Sequence, residues 1–183
     1  MVAVAEREDE GLLRLTREEY HAMPDNGRTE LLDGLVFTLM GQSGRHFSTW
    51  RRLAQLLVAG LEPGSHIRTQ GPILTSSDGE PEPDVAIVKG SPEDYTFENP
   101  ASSDVLFIAE VSDHTLRKDR GRKAAAYARA AIPEYWIVDL VHDLIEKRTN
   151  PTPTGYRTVE TYRRGEEIDG LSVDEILGPE EPA

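Results

Sequence analysis

The stretch VLFIAEVSDHTLRKDRGRKAAAYARAAIPEYWIVD, residues 105–139, decides the fold. It opens on VLFIAEV (105–111) and closes on EYWIVD (134–139), two runs rich in β-branched, aromatic and aliphatic side chains that read as strands. Between them an alanine-rich, basic segment predicts a helix near 118–131. Strand, helix, strand is a mixed α/β order in which the helix crosses between the strands on either side of it. One residue does not suit that simple reading. Glu110 shares its strand parity with Leu106 and Ile108, so on a regular strand its carboxylate points to the same face as two aliphatic side chains. An ionised group there needs a partner, or the strand must leave the core by residue 110 and let it meet water.

Working outward, PDVAIV (83–88) and HIRTQ (66–70) read as further strands, and one or two more are expected between 143 and 163. From His46 to Leu61 the apolar positions Phe47, Trp50, Leu53, Ala54, Leu57, Val58 and Leu61 recur at threes and fours, an amphipathic helix ended by Pro63 and Gly64. TELLDGLVFTL (29–39) predicts a hairpin turning at Asp33-Gly34, a dipeptide that accepts positive φ angles. Thr16 followed by Glu19 has the form of a capping box, so a short helix over about 17–23, stopped by Pro24, is expected. The acidic or Pro/Gly-rich ends, 1–15 and 178–183, read as solvated tails around one domain over 16–177.

A chain of 183 residues can bury a sizeable core without staples, and the absence of cysteine excludes a disulfide framework, thiolate catalysis and a Cys-based zinc site. The start, MVAVAEREDE, has neither a basic front nor the apolar stretch of a secretory signal, and no run approaches the roughly 18–20 apolar residues of a membrane span. The expectation is a soluble, cytoplasmic protein with no membrane partner. The formal charge of −13 argues against a broad, sequence-independent coat for nucleic acid. The charge is patterned, however: Arg117, Lys118, Arg120, Arg122, Lys123 and Arg129 stand against the single acid Asp119.

A second carboxylate makes Glu110 more interesting. Asp84 heads another apolar strand just after Pro83, whose fixed φ limits how the aspartate is presented; alone it reads as a strand-entry turn. If the two strands are neighbours, Asp84 and Glu110 converge, and their repulsion raises both pKa values unless a divalent cation sits between them. Oxygen ligands of this kind suit magnesium or manganese. On the following helix Asp119, Lys123 and Tyr127 are four apart and share a face. Lys123 then either pairs with Asp119 on a solvated basic helix or points back at the metal, where its ammonium can orient water or offset charge on a phosphate.

The runs EPDVAIV and AEVSDHTLRKDRGRKAAAYARAAIPEYWIVDL, with the earlier RTELLDG and a histidine, His46, opening the next helix, resemble the Uma-two-type restriction-endonuclease family, a branch of the PD-(D/E)XK nucleases. The resemblance covers about residues 16–177. It implies a restriction-endonuclease-like fold: a central mixed sheet flanked by helices, with an N-terminal helix and β-hairpin. It also implies Asp84 and Glu110 as metal ligands with the backbone carbonyl of Val111, and Glu30 as an acid behind them. Where the superfamily pattern has lysine two residues beyond the glutamate, this chain has Ser112, and Lys123 on the helix is the matching position.

The implied activity is Mg2+- or Mn2+-dependent hydrolysis of DNA phosphodiesters. Asp84, Glu110 and Lys123 would be catalytic, His46 a possible base or substrate contact, and Arg117, Lys118, Arg120 and Arg122 guides for the DNA backbone. Asp139 reads as a structural or supporting acid, and Tyr135 and Trp136 as core aromatics. A homodimer would supply two sites for double-strand cleavage. Two rivals remain: a nuclease-fold binding or regulatory module that has lost cleavage, and a metal-free hydrolase using the two acids as acid and base. A phosphate-binding glycine loop, H-E-x-x-H, a dinucleotide fingerprint and a nucleophile elbow are all missing.

Overall fold

In the computed structural model, which describes residues 14–24, 27–39 and 41–180, helix α1 (Arg17–His21) starts where Thr16 and Glu19 predict it. The Thr16 hydroxyl accepts from the Glu19 N–H at 3.2 Å, and the Glu19 carboxylate accepts from the Thr16 N–H at 2.8 Å. The helix closes at His21, before the expected Pro24 stop. Most of the two expected tails, residues 1–13 and 181–183, lies outside the described residues.

Strands β1 (Thr29–Leu32) and β2 (Leu35–Thr38) form the expected hairpin, with Asp33 and Gly34 at φ 52° and 78°. Both values suit the tight turn that matches strand twist. Leu31, Leu32 and Leu35 are buried, so the hairpin is a packed part of the fold with its own two-stranded ladder. Helix α2 (Gly44–Val58) begins two residues earlier than the apolar period suggests, because the Ser43 hydroxyl caps it by accepting from the His46 N–H at 3.1 Å.

The main sheet takes β3 (Ser65–Thr69), β4 (Val85–Lys89) and β5 (Val105–Ser112). A helical passage follows, made of α3 (Leu116–Lys118), a π-helical turn (Asp119–Lys123) and α4 (Ala124–Arg129). Then come β6 (Glu134–Asp139), β7 (Leu144–Thr152) and β8 (Gly155–Arg163). The order is β3-β4-β5-β6-β7-β8; β5 and β6 run parallel and the other neighbours antiparallel. The parallel pair is the one joined by the helical passage, since a parallel step needs a crossover. Short strands β9 (Glu167–Ile168) and β10 (Leu171–Ser172) and helix α5 (Val173–Leu177), which sequence periodicity did not reveal, close the chain.

Each face of the sheet has its own core. On the rear face Phe107, Ala109, Val111, Trp136 and Val138 pack with Leu53 of α2 and Ile176 and Leu177 of α5. On the front face Ala86, Ile108, Tyr135 and Ile137 pack with Ala124 and Tyr127 of α4. The expected shared face of Leu106, Ile108 and Glu110 needs correction at Leu106. Ile87 pairs with Phe107 but Val88 pairs with Val105, leaving Leu106 as the extra residue of a β-bulge. Val105 therefore joins Ile108 in the front core, while Leu106 and Phe107 both border a cavity behind the sheet.

Candidate active site

The antiparallel register Val85↔Ala109 sets the site, because one step back along β4 and one step on along β5 put Asp84 across from Glu110. Asp84 is anchored there by its neighbours: Oδ2 accepts from the Val111 N–H at 2.8 Å, and Oδ1 faces the Gln70 amide nitrogen at 3.4 Å. The Gln70 N–H also donates to the Asp84 carbonyl at 3.1 Å, so the end of β3 grips the residue. On the other side the imidazole of His46, in the first turn of α2, stands 3.2 Å from Asp84 Oδ2. Burial lowers the His46 pKa, but Asp84, Asp113 and the Val111 carbonyl outweigh it and raise the net value. The Val111 carbonyl and the Asp84 carboxylate thus both act on the His46 ring.

Glu110 is 4% exposed, and its Oε1 accepts from Lys123 Nζ at 2.7 Å and from the Tyr127 hydroxyl at 2.6 Å. Burial raises its pKa to about 8; Lys123 opposes the shift, while Asp119, Asp84 and Glu30 add to it. Lys123 is 3% exposed and also stands 3.1 Å from Glu30 Oε2. Burial disfavours its charge, yet Glu110, Glu30 and Asp119 hold the ammonium protonated well above its ordinary range. The ammonium thus links β5 to the hairpin. Glu30 is completed by Lys118 Nζ at 2.7 Å and the Glu82 N–H at 3.2 Å, and although burial alone would raise its pKa, Lys123 and Lys118 bring it down.

The π-helical turn explains how the helix delivers so many groups. A π turn closes its backbone bond over five residues, seen here from the Ala124 N–H to the Asp119 carbonyl, and widens the helix at the site. Asp119, Lys123 and Tyr127 all end up buried against the strands. Asp119 accepts from the Ser112 hydroxyl at 2.6 Å and from Thr115, in place of the surface pair with Lys123 that a solvated helix would show. Ser112, at the position where the superfamily pattern has lysine, is fully buried and holds this helix start to β5. Asp139, also fully buried, accepts from Arg120 at 2.8 Å and from the N–H groups of Val141 and His142.

The basic run is arranged differently from a row of open contacts. Lys118 is engaged by Glu30; Arg120 binds Asp139 and Glu146; the Arg122 guanidinium lies 5.6 Å from the Phe37 ring centre. Arg117 also has interactions within the chain.

These groups border a cleft with a cavity volume of about 60 Å3 that reaches Asp84, Glu110, Lys123 and His46. Several lining residues were not singled out in the sequence, among them Arg28, Gln70, Glu82 and Asp113. Glu82 could have been found, because it alternates with Asp84 in EPEPD; burial raises its pKa and Arg28 opposes that shift. Among the described residues no group of three or more His, Asp or Glu forms a ready metal cage. The donor set nevertheless fits a hard cation that keeps several waters: two carboxylates and a carbonyl, all oxygen.

A family model described as "Uma2: Putative restriction endonuclease" matches residues 17–176. The chain belongs to this family. Among solved structures, it resembles one from Anabaena variabilis ATCC 29413 described as a "putative nuclease belonging to DUF820". The likeness has a TM-score of 0.68 at 12% identity and covers 89% of this chain and 97% of the other, so it supports the fold. A search of curated proteins finds no match. The Uma2 model spans the hairpin, both sheet carboxylates and the lysine-bearing helix, all the elements that build the cleft. No helix among the described residues is long and apolar enough to cross a membrane.

Proposed function

We propose that this Uma2 protein is a divalent-metal-dependent DNA endonuclease and that the Asp84–Glu110–Lys123 cleft is its catalytic centre. One observation carries the reading: two carboxylates from adjacent strands and a lysine ammonium from the following helix meet, with Lys123 Nζ 2.7 Å from Glu110 Oε1. Asp84, Glu110 and the Val111 carbonyl would hold Mg2+ or Mn2+, which supplies Lewis acidity toward water and phosphate when bound. Lys123 keeps its proton and so acts as a fixed positive charge that holds Glu110 in place and offsets charge developing on the phosphate. Glu30 fixes the far side of that ammonium, and Tyr127 fixes the glutamate from behind. His46 is placed beside Asp84 to contact substrate or carry a proton.

Incubating the protein with supercoiled plasmid and with single-stranded DNA in Mn2+ tests this. Cleavage by the wild type and its loss in Asp84→Ala are expected; equal nicking by both proteins refutes the proposal. A second reading, a nuclease-fold binding module without cleavage, is favoured by the full engagement of Lys123 between two carboxylates and by Ser112 standing where lysine is expected. Calorimetric titration with Mg2+ and Mn2+ separates the two. Metal binding lost in Glu110→Gln, without cleavage by the wild type, selects the module.

A further inference from the structure

Behind the sheet, on the face opposite the cleft, lies a second and larger cavity of about 520 Å3. This volume falls in the range of small-molecule sites, about 300–1,000 Å3. Its floor is β5 and β6, where Phe107 and Trp136 meet edge to face at 5.0 Å between ring centres. The C-terminal end of α2 and the turn after it form one wall through Leu57 and Leu61, and β10 forms another through Leu171. The β-bulge shapes this floor. A regular strand would send Leu106 to the front core; the extra residue turns it to border the rear cavity beside Phe107.

The apolar walls end in a polar mouth in which acids outnumber bases. Glu62, Glu134 and Asp169 border the cavity, and Lys147 is the cation set among them, 2.6 Å from Asp169 and 3.5 Å from Glu134. Three carboxylates against one ammonium leave the mouth acidic. Glu134 is fixed in place, its Oε1 accepting from the Trp136 indole N–H at 2.6 Å. We propose that this cavity binds a small amphipathic molecule with an apolar body and a cationic, amine-type head. The apolar body lies on Leu106, Phe107 and Trp136, and the head reaches Glu134 and Asp169. The site does not depend on the nuclease reading, since it shares no residue with the cleft.

Decylamine, decanol and decanoate, each kept below its micellar concentration, present the same chain with three different heads. Calorimetric titration of the full chain in EDTA at pH 7 should show saturable decylamine binding at one site, at least tenfold tighter than decanoate, with decanol between them. The double variant Glu134→Gln, Asp169→Asn should shrink the amine-to-carboxylate ratio at least fivefold. Leu171→Trp fills the cavity and should weaken decylamine at least tenfold. Gly60→Phe does the same from the exposed rim, where an added Cβ meets nothing closer than the Leu57 carbonyl oxygen at 3.9 Å, so it serves if Leu171→Trp does not fold. Asp84→Ala should bind decylamine as the wild type does. The proposal is overturned if decylamine does not saturate, if the three heads bind alike, or if the filling variants bind like wild type.

Discussion

Replacing Lys123 with methionine keeps most of the side-chain volume and removes the charge that the cleft is built around. The ammonium lies 2.7 Å from Glu110 and 3.1 Å from Glu30, and both acids are buried. Removing one partner from a buried ion pair costs about 3–5 kcal/mol, because the remaining charge loses both water and its counterion. Glu30 would retain Lys118, and Glu110 would retain only the Tyr127 hydroxyl, so most of the cost falls where Lys123 alone supplied positive charge. For a chain of this length 1 kcal/mol is worth about 2–4 °C, so Lys123→Met should lower Tm by about 6–20 °C at pH 9, where Glu110 is ionised in the wild type.

The pH dependence gives the sharper test. Glu110 has a folded pKa of about 8 against an ordinary 4.5. A raised carboxyl pKa contributes stability that is complete below 4.5 and declines as pH rises, until the folded protein also releases the proton near 8. Without Lys123 the folded pKa rises further, so the decline continues past pH 8 in the variant and the gap from wild type should be larger at pH 9 than at pH 6. Urea unfolding in EDTA, followed by tryptophan fluorescence and compared at equal m, measures the gap. Adding Glu110→Gln should recover at least 1 kcal/mol at pH 9. A gap under 1 kcal/mol at pH 9, or one that does not change from pH 6, would refute the claim that Lys123 neutralises this site.

Glu110→Gln alone should gain on wild type as pH rises from 6 to 9 in EDTA, since the amide has no proton to lose; parallel Tm curves would show that Glu110 does not titrate as burial dictates. Gly34→Ala should destabilise by about 1–2 kcal/mol, because φ is 78° and the new Cβ would lie 2.9 Å from Arg14 Cβ; equal urea midpoints would count against the turn geometry. Ser112→Ala removes a hydroxyl donor from the buried Asp119 and should cost about 1.5–3 kcal/mol, with a loss below 0.5 kcal/mol contradicting that anchor.

The residues themselves offered the convergence of the candidate site only as one alternative, with Asp84 alone reading as a strand-entry turn and Lys123 as a surface partner of Asp119, and the family resemblance selected it. Pro83 before Asp84, the apolar run into Glu110, and the spacing of Asp119, Lys123 and Tyr127 each constrain direction, and the three lines meet in the cleft. What was not legible comes from one-residue irregularities and from partners distant in sequence. A β-bulge at Leu106 and a π turn at Asp119–Lys123 leave no mark on hydrophobic period, because each is fixed by the packing around it. The two-residue strands β9 and β10 are too short to show any period.

The basic run from Arg117 to Arg129 shows the same limit, and its resolution changes what the charge means. Read in one dimension, six cations resemble a surface for phosphates. In the fold Lys118 and Lys123 answer Glu30 and Glu110, Arg120 answers Asp139 and Glu146, and Arg129 pairs with Asp33 on the hairpin turn. Their partners come from the hairpin and from β5, β6 and β7, so the helix acts as a cationic wedge that binds together acidic elements which would otherwise repel. Much of the segment's positive charge is therefore engaged within the fold. Under the proposed nuclease reading, positive charge for a phosphate would come from a cation bound at Asp84 and Glu110 or from cleft side chains such as Arg28. On this reasoning affinity for DNA should be weak in EDTA and should rise when a divalent ion is supplied, whereas a protein relying on an open lysine and arginine row would bind in either condition.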